Sequence, residues 1–149
     1  MIRADLRRRA RSKLDQRFAE LGAPERLKSP PRGWIKAIRE ALGMTTKQLA
    51  ARLRVKQPSV VALEQSETRG TIEIATLKRV AEALDCTLVY ALIPNQPLEN
   101  TVRERARAFL RRRREPIEHS MLLENQVVTN KADGVDELIR NTNPSLFWD

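Results

Sequence analysis

The side chains best placed for recognition chemistry in this 149-residue chain lie in and around Gln57-Pro58-Ser59. Within residues 45–65, TTKQLAARLRVKQPSVVALEQ, Thr45 and Thr46 are N-cap residues ahead of a short run in which Leu49, Ala50 and Leu53 share one apolar face. Arg54, Val55 and Lys56 are too few to form anything but a tight turn. Gln57-Pro58-Ser59 then opens a second short helix, with Pro in the first turn, where its missing N–H costs nothing. Val60 and Leu63 form the inward pair of that helix, which leaves Lys56, Gln57, Ser59, Val61 and Ala62 facing out. A neutral, hydrogen-bonding first turn suits base edges in a major groove. Two short helices joined by a three-residue turn have the layout of a helix-turn-helix. An ordinary helical hairpin is the alternative that this stretch alone leaves open. Catalysis has no comparable constellation: one His (His119) and one Cys (Cys86), no Gly-rich phosphate loop and no His/Cys/Asp cluster. The expectation is a non-enzymatic protein with no catalytic residue, metal site or cofactor.

The elements around the pair complete a small helical domain. Residues 34–43, WIKAIREALG, place Trp34, Ile35, Ile38 and Leu42 on one helical face, with Gly43 as a stop. A polar loop, Ser66 to Thr71, follows the pair, and ATLKRVAEALD then carries an apolar stripe of Leu77, Val80, Ala81 and Leu84. On these residues, with LAARLRVKQPSVVALEQ as the core, 34–85 resembles the λ-repressor-like, or XRE, family of DNA-binding domains. That resemblance implies phosphate contacts for Thr46 and Lys47, base reading by Lys56, Gln57, Ser59 and Ala62, and a backbone clamp by Arg69 from the following loop. Pro58 departs from the many relatives with a polar residue there, which puts apolar contact with a thymine methyl in place of a hydrogen bond.

Bulk properties point the same way. Aromatics are 4% of residues against 41% hydrophobic, so the core is aliphatic and the chain helix-rich. A net charge of +9 fits a polyanion partner, because each Lys or Arg set on a phosphate releases condensed counterions. A solvated basic surface is the weaker reading. Cys86 has no partner for an internal disulfide and reads as a small buried hydrophobe. The N-terminus is dense in Arg rather than signal-like, and no apolar run reaches transmembrane length, so a cytoplasmic protein with no membrane partner is expected.

In chain order, residues 1–21 read as a basic amphipathic helix with Leu6, Ala10, Leu14, Phe18 and Leu21 at helical spacing. Seven cations stand there against Asp5, Asp15 and Glu20, a local charge of +4. The apolar stripe must pack on something, on the core or on a second subunit, and a DNA-flanking arm is the sharper alternative. Residues 22–33 form a stiff Pro-rich connector. The DNA-binding domain, 34–94, ends in CTLVYALIP (86–94), a β-branched and aliphatic run that reads as a strand. A single strand cannot satisfy its own ladder hydrogen bonds, so its partner is expected to be its copy in a homodimer. The resemblance implies the same, since some antitoxins of the family are built this way. A strand hidden against its own domain is the alternative, and leaves its edges to explain. Residues 98–115 form a second basic helix, with Val102, Ala106, Phe109 and Leu110 inward and Pro116 ending it. Its consecutive arginines, Arg111 to Arg114, wrap around the helix; phosphate contact, an acidic partner and a solvated helix end all remain open. Segment 116–149 is an acidic tail, with 117–149 carrying −4. VDELI (135–139) reads as a short helix, and Phe147 and Trp148 as a docking anchor on this chain or a partner.

Within the tail, Ser120-Met121-Leu122-Leu123-Glu124-Asn125 matches the inhibitory motif [S/T]-x-x-x-E-[G/N] that restrains Fic-domain adenylyltransferases. By that resemblance Ser120 helps hold the motif helix, while Glu124 engages the arginine that would otherwise bind the ATP γ-phosphate, with Asn125 completing the pattern. A carboxylate competing for a guanidinium fork is a bidentate, charge-assisted contact. Taken without the resemblance, the stretch is an amphipathic turn whose Met121, Leu122 and Leu123 pack. The whole chain resembles the "mobile mystery protein A" family, XRE regulators encoded beside a Fic-domain protein. The reading is a mainly α protein: a λ-repressor-like helix-turn-helix domain with a single intersubunit β-strand and flanking N- and C-terminal helices. It would bind a palindromic double-stranded DNA operator and act as antitoxin to a Fic-domain toxin. The alternatives are a plain dimeric repressor and, because Arg-rich helices also suit RNA, an RNA-binding protein.

Overall fold

The computed structural model describes residues 2–118 and 131–149. Ser120, Glu124 and Asn125 lie outside the described residues. Seven α-helices are present among those described: α1 (Ile2–Leu21), α2 (Trp34–Ala41), α3 (Thr46–Leu53), α4 (Gln57–Arg69), α5 (Ile74–Ala83), α6 (Leu98–Glu118) and α7 (Lys131–Asn141). Short 3-10 turns occupy Pro24–Leu27 and Pro144–Phe147. The chain divides into two compact units, Ala23–Leu92 and a second formed by Met1–Gly22 with Ile93–Asp149.

In the Ala23–Leu92 unit, Ile35, Leu49, Ala50, Val60, Val80 and Leu84 form the buried core, with Ile38, Leu53, Leu63 and Leu77 packed against it. The apolar stripes expected for α3, α4 and α5 are therefore the packed faces. Helix α2 is set differently: Trp34 and Leu42 are exposed, and Arg39 is buried beside Ile35 instead. Its guanidinium finds three acceptors in that core. Arg39 Nε donates to Glu64 Oε1 at 2.6 Å, Nη2 to Glu64 Oε2 at 3.4 Å, and Nη1 to the Met44 carbonyl at 2.9 Å. A buried charge is tolerated where it is both paired and hydrogen-bonded. Three residues further along α4, Glu67 accepts from the Trp34 and Ile35 N–H groups at 2.7 and 2.9 Å, so α4 caps α2 from outside its own sequence. The approach needs Gly33: its φ is +84°, and a Cβ there would meet Glu67 Oε2 at 2.7 Å. The connector before it is not simply extended, since the Gly33 N–H donates to the Pro30 carbonyl at 2.9 Å and closes a turn.

Three expectations are corrected here. Helix α4 runs on to Arg69, so the polar loop starts at Gly70 and Arg69 sits in the last helical turn. Helix α6 continues through Pro116 to Glu118, so the helix ends two residues after the proline rather than at it. No strand is present among the described residues, and 86–94 carries no regular structure. Ladder hydrogen bonds define a strand, and a single copy of this segment has nothing to make them with. Val89, Tyr90 and Leu92 are left 81%, 72% and 87% exposed.

The second unit is centred on α6. Val102 and Ala106 are buried, and Phe109 and Leu110 half-buried, as the spacing required. Against them pack Val135, Leu138 and Ile139 of α7 and the fully buried Phe147, whose ring meets Phe109 edge-on at 5.6 Å. Phe147 thus anchors the chain end on its own unit. Arg105 lies 5.1 Å over the Trp148 ring and Arg112 Nη1 donates to the Asp149 carbonyl at 2.8 Å, while Arg113 stacks over Phe109 at 4.8 Å. Two of the four consecutive arginines are accordingly spent inside the unit. The stripe expected for α1 is largely left out of it: Phe18 is half-buried, but Leu6, Leu14 and Leu21 are exposed.

Candidate nucleic-acid interface

Helices α3 and α4 meet through the turn Arg54–Lys56, and backbone geometry fixes that corner. Thr45 caps α3 with a complete capping box: its hydroxyl accepts from the Gln48 N–H, and the Gln48 side chain accepts from the Thr45 N–H at 2.8 Å. At the other end Arg54 takes the left-handed conformation, φ +57° and ψ +43°, which closes the helix with Arg54 N–H to Ala51 and Val55 N–H to Ala50. An L-residue with a Cβ is strained there by roughly 1 kcal/mol. Arg54→Gly is therefore expected to stabilise the unit by about 0.5–1 kcal/mol, a rise in Tm of roughly 2–6 °C by circular dichroism. A fall in Tm would mean that the Arg54 side chain contributes more than its backbone costs.

On α4 one side is committed to the core. Val60, Leu63, Glu64 and Glu67 pack on the unit, and Pro58, Ala62, Gln65 and Arg69 recur at four-, three- and four-residue intervals on the opposite side, all exposed. Ser59 and Val61 flank that stripe and are exposed as well. Gln57 stands to one side, where its amide Nε2 donates to the Thr46 hydroxyl at 2.8 Å. That bond ties the first turn of α4 to the first turn of α3. It leaves the Gln57 carbonyl oxygen and one N–H for a base edge, with the side chain already held in place. Thr46 is half-buried, whereas Lys47 and Lys56 are exposed; neither lysine nor Arg69 has an ion pair among the described residues. Their charges are available to phosphates.

The eight residues named from the sequence, Thr46, Lys47, Lys56, Gln57, Pro58, Ser59, Ala62 and Arg69, thus all lie on α3, α4 or the turn between them. The sequence reading passed over Val61 and Gln65 as contact residues. Gln65 follows Pro58 by seven positions and Ala62 by three, so helical spacing from Ala62 was the signal that pointed to it. Unit charge matches the geometry: residues 23–92 hold twelve Lys and Arg against seven Asp and Glu, a net +5.

Comparison with known families decides the motif. Residues 35–90 match the helix-turn-helix family. They form a helix-turn-helix domain. The match makes double-stranded DNA the partner to expect of this unit, and regulation its role. No curated protein and no solved structure gave a match. With α3 and α4 as the two motif helices, α4 holds the position that the recognition helix takes in such motifs, and its outward stripe is the candidate reading surface. No helix among the described residues is long and apolar enough to cross a membrane.

Proposed function

We propose that this chain is a non-enzymatic, homodimeric DNA-binding regulator that also serves as antitoxin to a Fic-domain adenylyltransferase. The observation that carries the DNA arm is the outward stripe of α4, which is free of core duties and flanked by cations that make no ion pair among the described residues. Lys47 and Lys56 hold phosphates, Arg69 grips the backbone from the end of α4, and Gln57, Ser59, Ala62 and Gln65 face base edges. Pro58 and Val61 supply apolar contact. The homodimer rests on residues 86–94: their exposed Val89, Tyr90 and Leu92 and their lack of ladder partners fit pairing with the same segment of a second copy. Two-fold pairing would set two recognition helices on the half-sites of a palindromic operator. The antitoxin arm rests on Ser120-x-x-x-Glu124-Asn125 and on the resemblance of the chain to the "mobile mystery protein A" family. Glu124 would occupy the toxin arginine needed by the ATP γ-phosphate.

The test is co-purification of the tagged chain with the protein encoded beside it. A Fic-domain protein is expected to elute with it, silent in AMP transfer with the intact chain and active with Glu124→Ala. If nothing co-elutes while operator DNA is still bound in a salt-dependent way, the inhibitor role falls and a plain dimeric repressor remains.

A further inference from the structure

Helix α1 turns Arg11 and Asp15 toward its own unit and leaves its leucines exposed. Ala4, Arg11, Asp15 and Phe18 are the half-buried positions. Two polar links do the holding: Arg11 Nε meets Glu99 Oε2 at 2.7 Å, and Asp15 accepts from the Leu98 and Glu99 N–H groups at 2.7 and 3.2 Å, capping α6. A helix that merely faced water would not seat Arg11 and Asp15 inward while its leucines stay outside. Leu6, Leu14 and Leu21 are 58%, 42% and 39% exposed, and Ala10 between them is exposed too.

The charges around this stripe are of one sign. At about 100° per residue the four apolar positions fall within an arc of roughly 80°. Arg3 and Arg17 lie inside that arc, and Arg7 and Lys13 stand at its two borders. All four cations are exposed, and none makes an ion pair among the described residues. Asp5 and Asp15 point to other sides, and Glu20 stands beyond Lys13. A second copy seated here would set cation against cation. A membrane surface would want aromatic anchors, and Phe18, the one aromatic of α1, is turned inward. DNA would meet the arginines and leave the leucines without apolar partners. Three leucines also fall well short of the roughly 800 Å² per partner of a standard interface, so opposite charge has to supply what apolar area does not.

We infer that this face of α1 is a docking surface for an acidic amphipathic helix of a partner protein. Leucines of that helix lie against Leu6, Ala10, Leu14 and Leu21, and its carboxylates face Arg3, Arg7, Lys13 and Arg17. The inference is independent of the DNA and antitoxin roles proposed above.

The experiment uses the full chain and a fluorescein-labelled peptide of three heptads, with Leu at a and d and Glu at e and g, followed by anisotropy. The acidic peptide is expected to bind and to weaken at least tenfold between 50 and 300 mM NaCl. The same peptide with Lys in place of Glu is expected to bind at least 30-fold more weakly. The pair Leu6→Gln/Leu14→Gln and the triple Arg3→Gln/Arg7→Gln/Arg17→Gln should each cost the acidic peptide tenfold or more. Thermal unfolding should not change, since every altered side chain is exposed. Equal binding of the two peptides, or indifference to the variants, overturns the inference. So does self-association lost on Leu6→Gln/Leu14→Gln, or tighter binding to vesicles of equal phosphatidylglycerol and phosphatidylcholine than to the peptide.

Discussion

Glu64→Ala is expected to destabilise the helix-turn-helix unit by about 3–5 kcal/mol, a large share of the 5–15 kcal/mol that a typical domain has in hand. The loss comes less from the broken attraction than from what remains: a buried Arg39 guanidinium with the Met44 carbonyl at 2.9 Å and only the exposed Glu40 carboxylate, at 3.8 Å, to balance its charge. Replacing both members by apolar residues of similar size, Arg39→Met with Glu64→Leu, removes the stranded charge and is expected to recover most of the stability. Urea unfolding followed by circular dichroism separates the two cases. A single-variant loss below about 1 kcal/mol would show that Arg39 escapes to solvent when its partner goes. The pair also behaves simply with pH on the Arg39 side. The Glu64 hydrogen bond, opposed by burial and assisted by the negative charges of Glu64 and Glu40, holds the Arg39 guanidinium above its ordinary value. A raised folded value gives stability that is complete below the unfolded value and lost only as pH rises through the folded one. Arginine's share is therefore constant across the physiological range.

Why the pair escaped the sequence reading is instructive about periodicity. Apolar spacing identifies side chains that share a helix face, and it placed Leu49, Ala50, Val60, Val80 and Leu84 in the core. It also nominated Trp34 and Leu42 of α2, both exposed, because a hydrophobicity count cannot rank a leucine below an arginine. Arg39 is inside because Glu64 waits for it 25 residues away, and a tertiary pairing leaves no mark at either position. Helix α1 repeats the lesson with the sign reversed. Leu6, Leu14 and Leu21 recur as a buried stripe would, yet Arg11 and Asp15 occupy the inner face because α6 offers them Glu99 and two free N–H groups. The helix-turn-helix frame was legible for a local reason: capping, a short turn and an amphipathic helix are settled within about twenty residues. Segment 86–94 was read as a strand from its β-branched and aliphatic residues, and it carries no regular structure. Residue type records a preference, while a strand needs ladder partners that local sequence does not specify.

Ala62→Glu is expected to abolish specific DNA binding, weakening it at least 100-fold, while leaving the fold as it is. Ala62 lies at the middle of the outward stripe, exposed and without a hydrogen bond or ion pair to lose. Glutamate is a good helix former, so Tm should stay within about 2 °C. In the groove the outcome is different on two counts. A small methyl that permits close approach becomes a long side chain, and a carboxylate is carried into the field of a polyanion with little water left to screen it. The probe is the duplex that the unaltered chain selects from a random-sequence pool, with an unrelated duplex beside it. The control pair is Lys47→Gln and Lys56→Gln, which remove phosphate contacts rather than block the groove. Each of these should weaken selected and unrelated duplexes alike and lower the slope of log K against log salt by about 0.9. If Ala62→Glu instead bound the selected duplex within threefold of the unaltered chain, α4 would not be the element in the groove. Loss of specific binding with Ala62→Glu, beside uniform weakening with the lysine variants, would assign reading to the stripe of α4 and holding to its flanks. That division of labour is the one expected of a neutral helix face between cations that make no ion pair among the described residues.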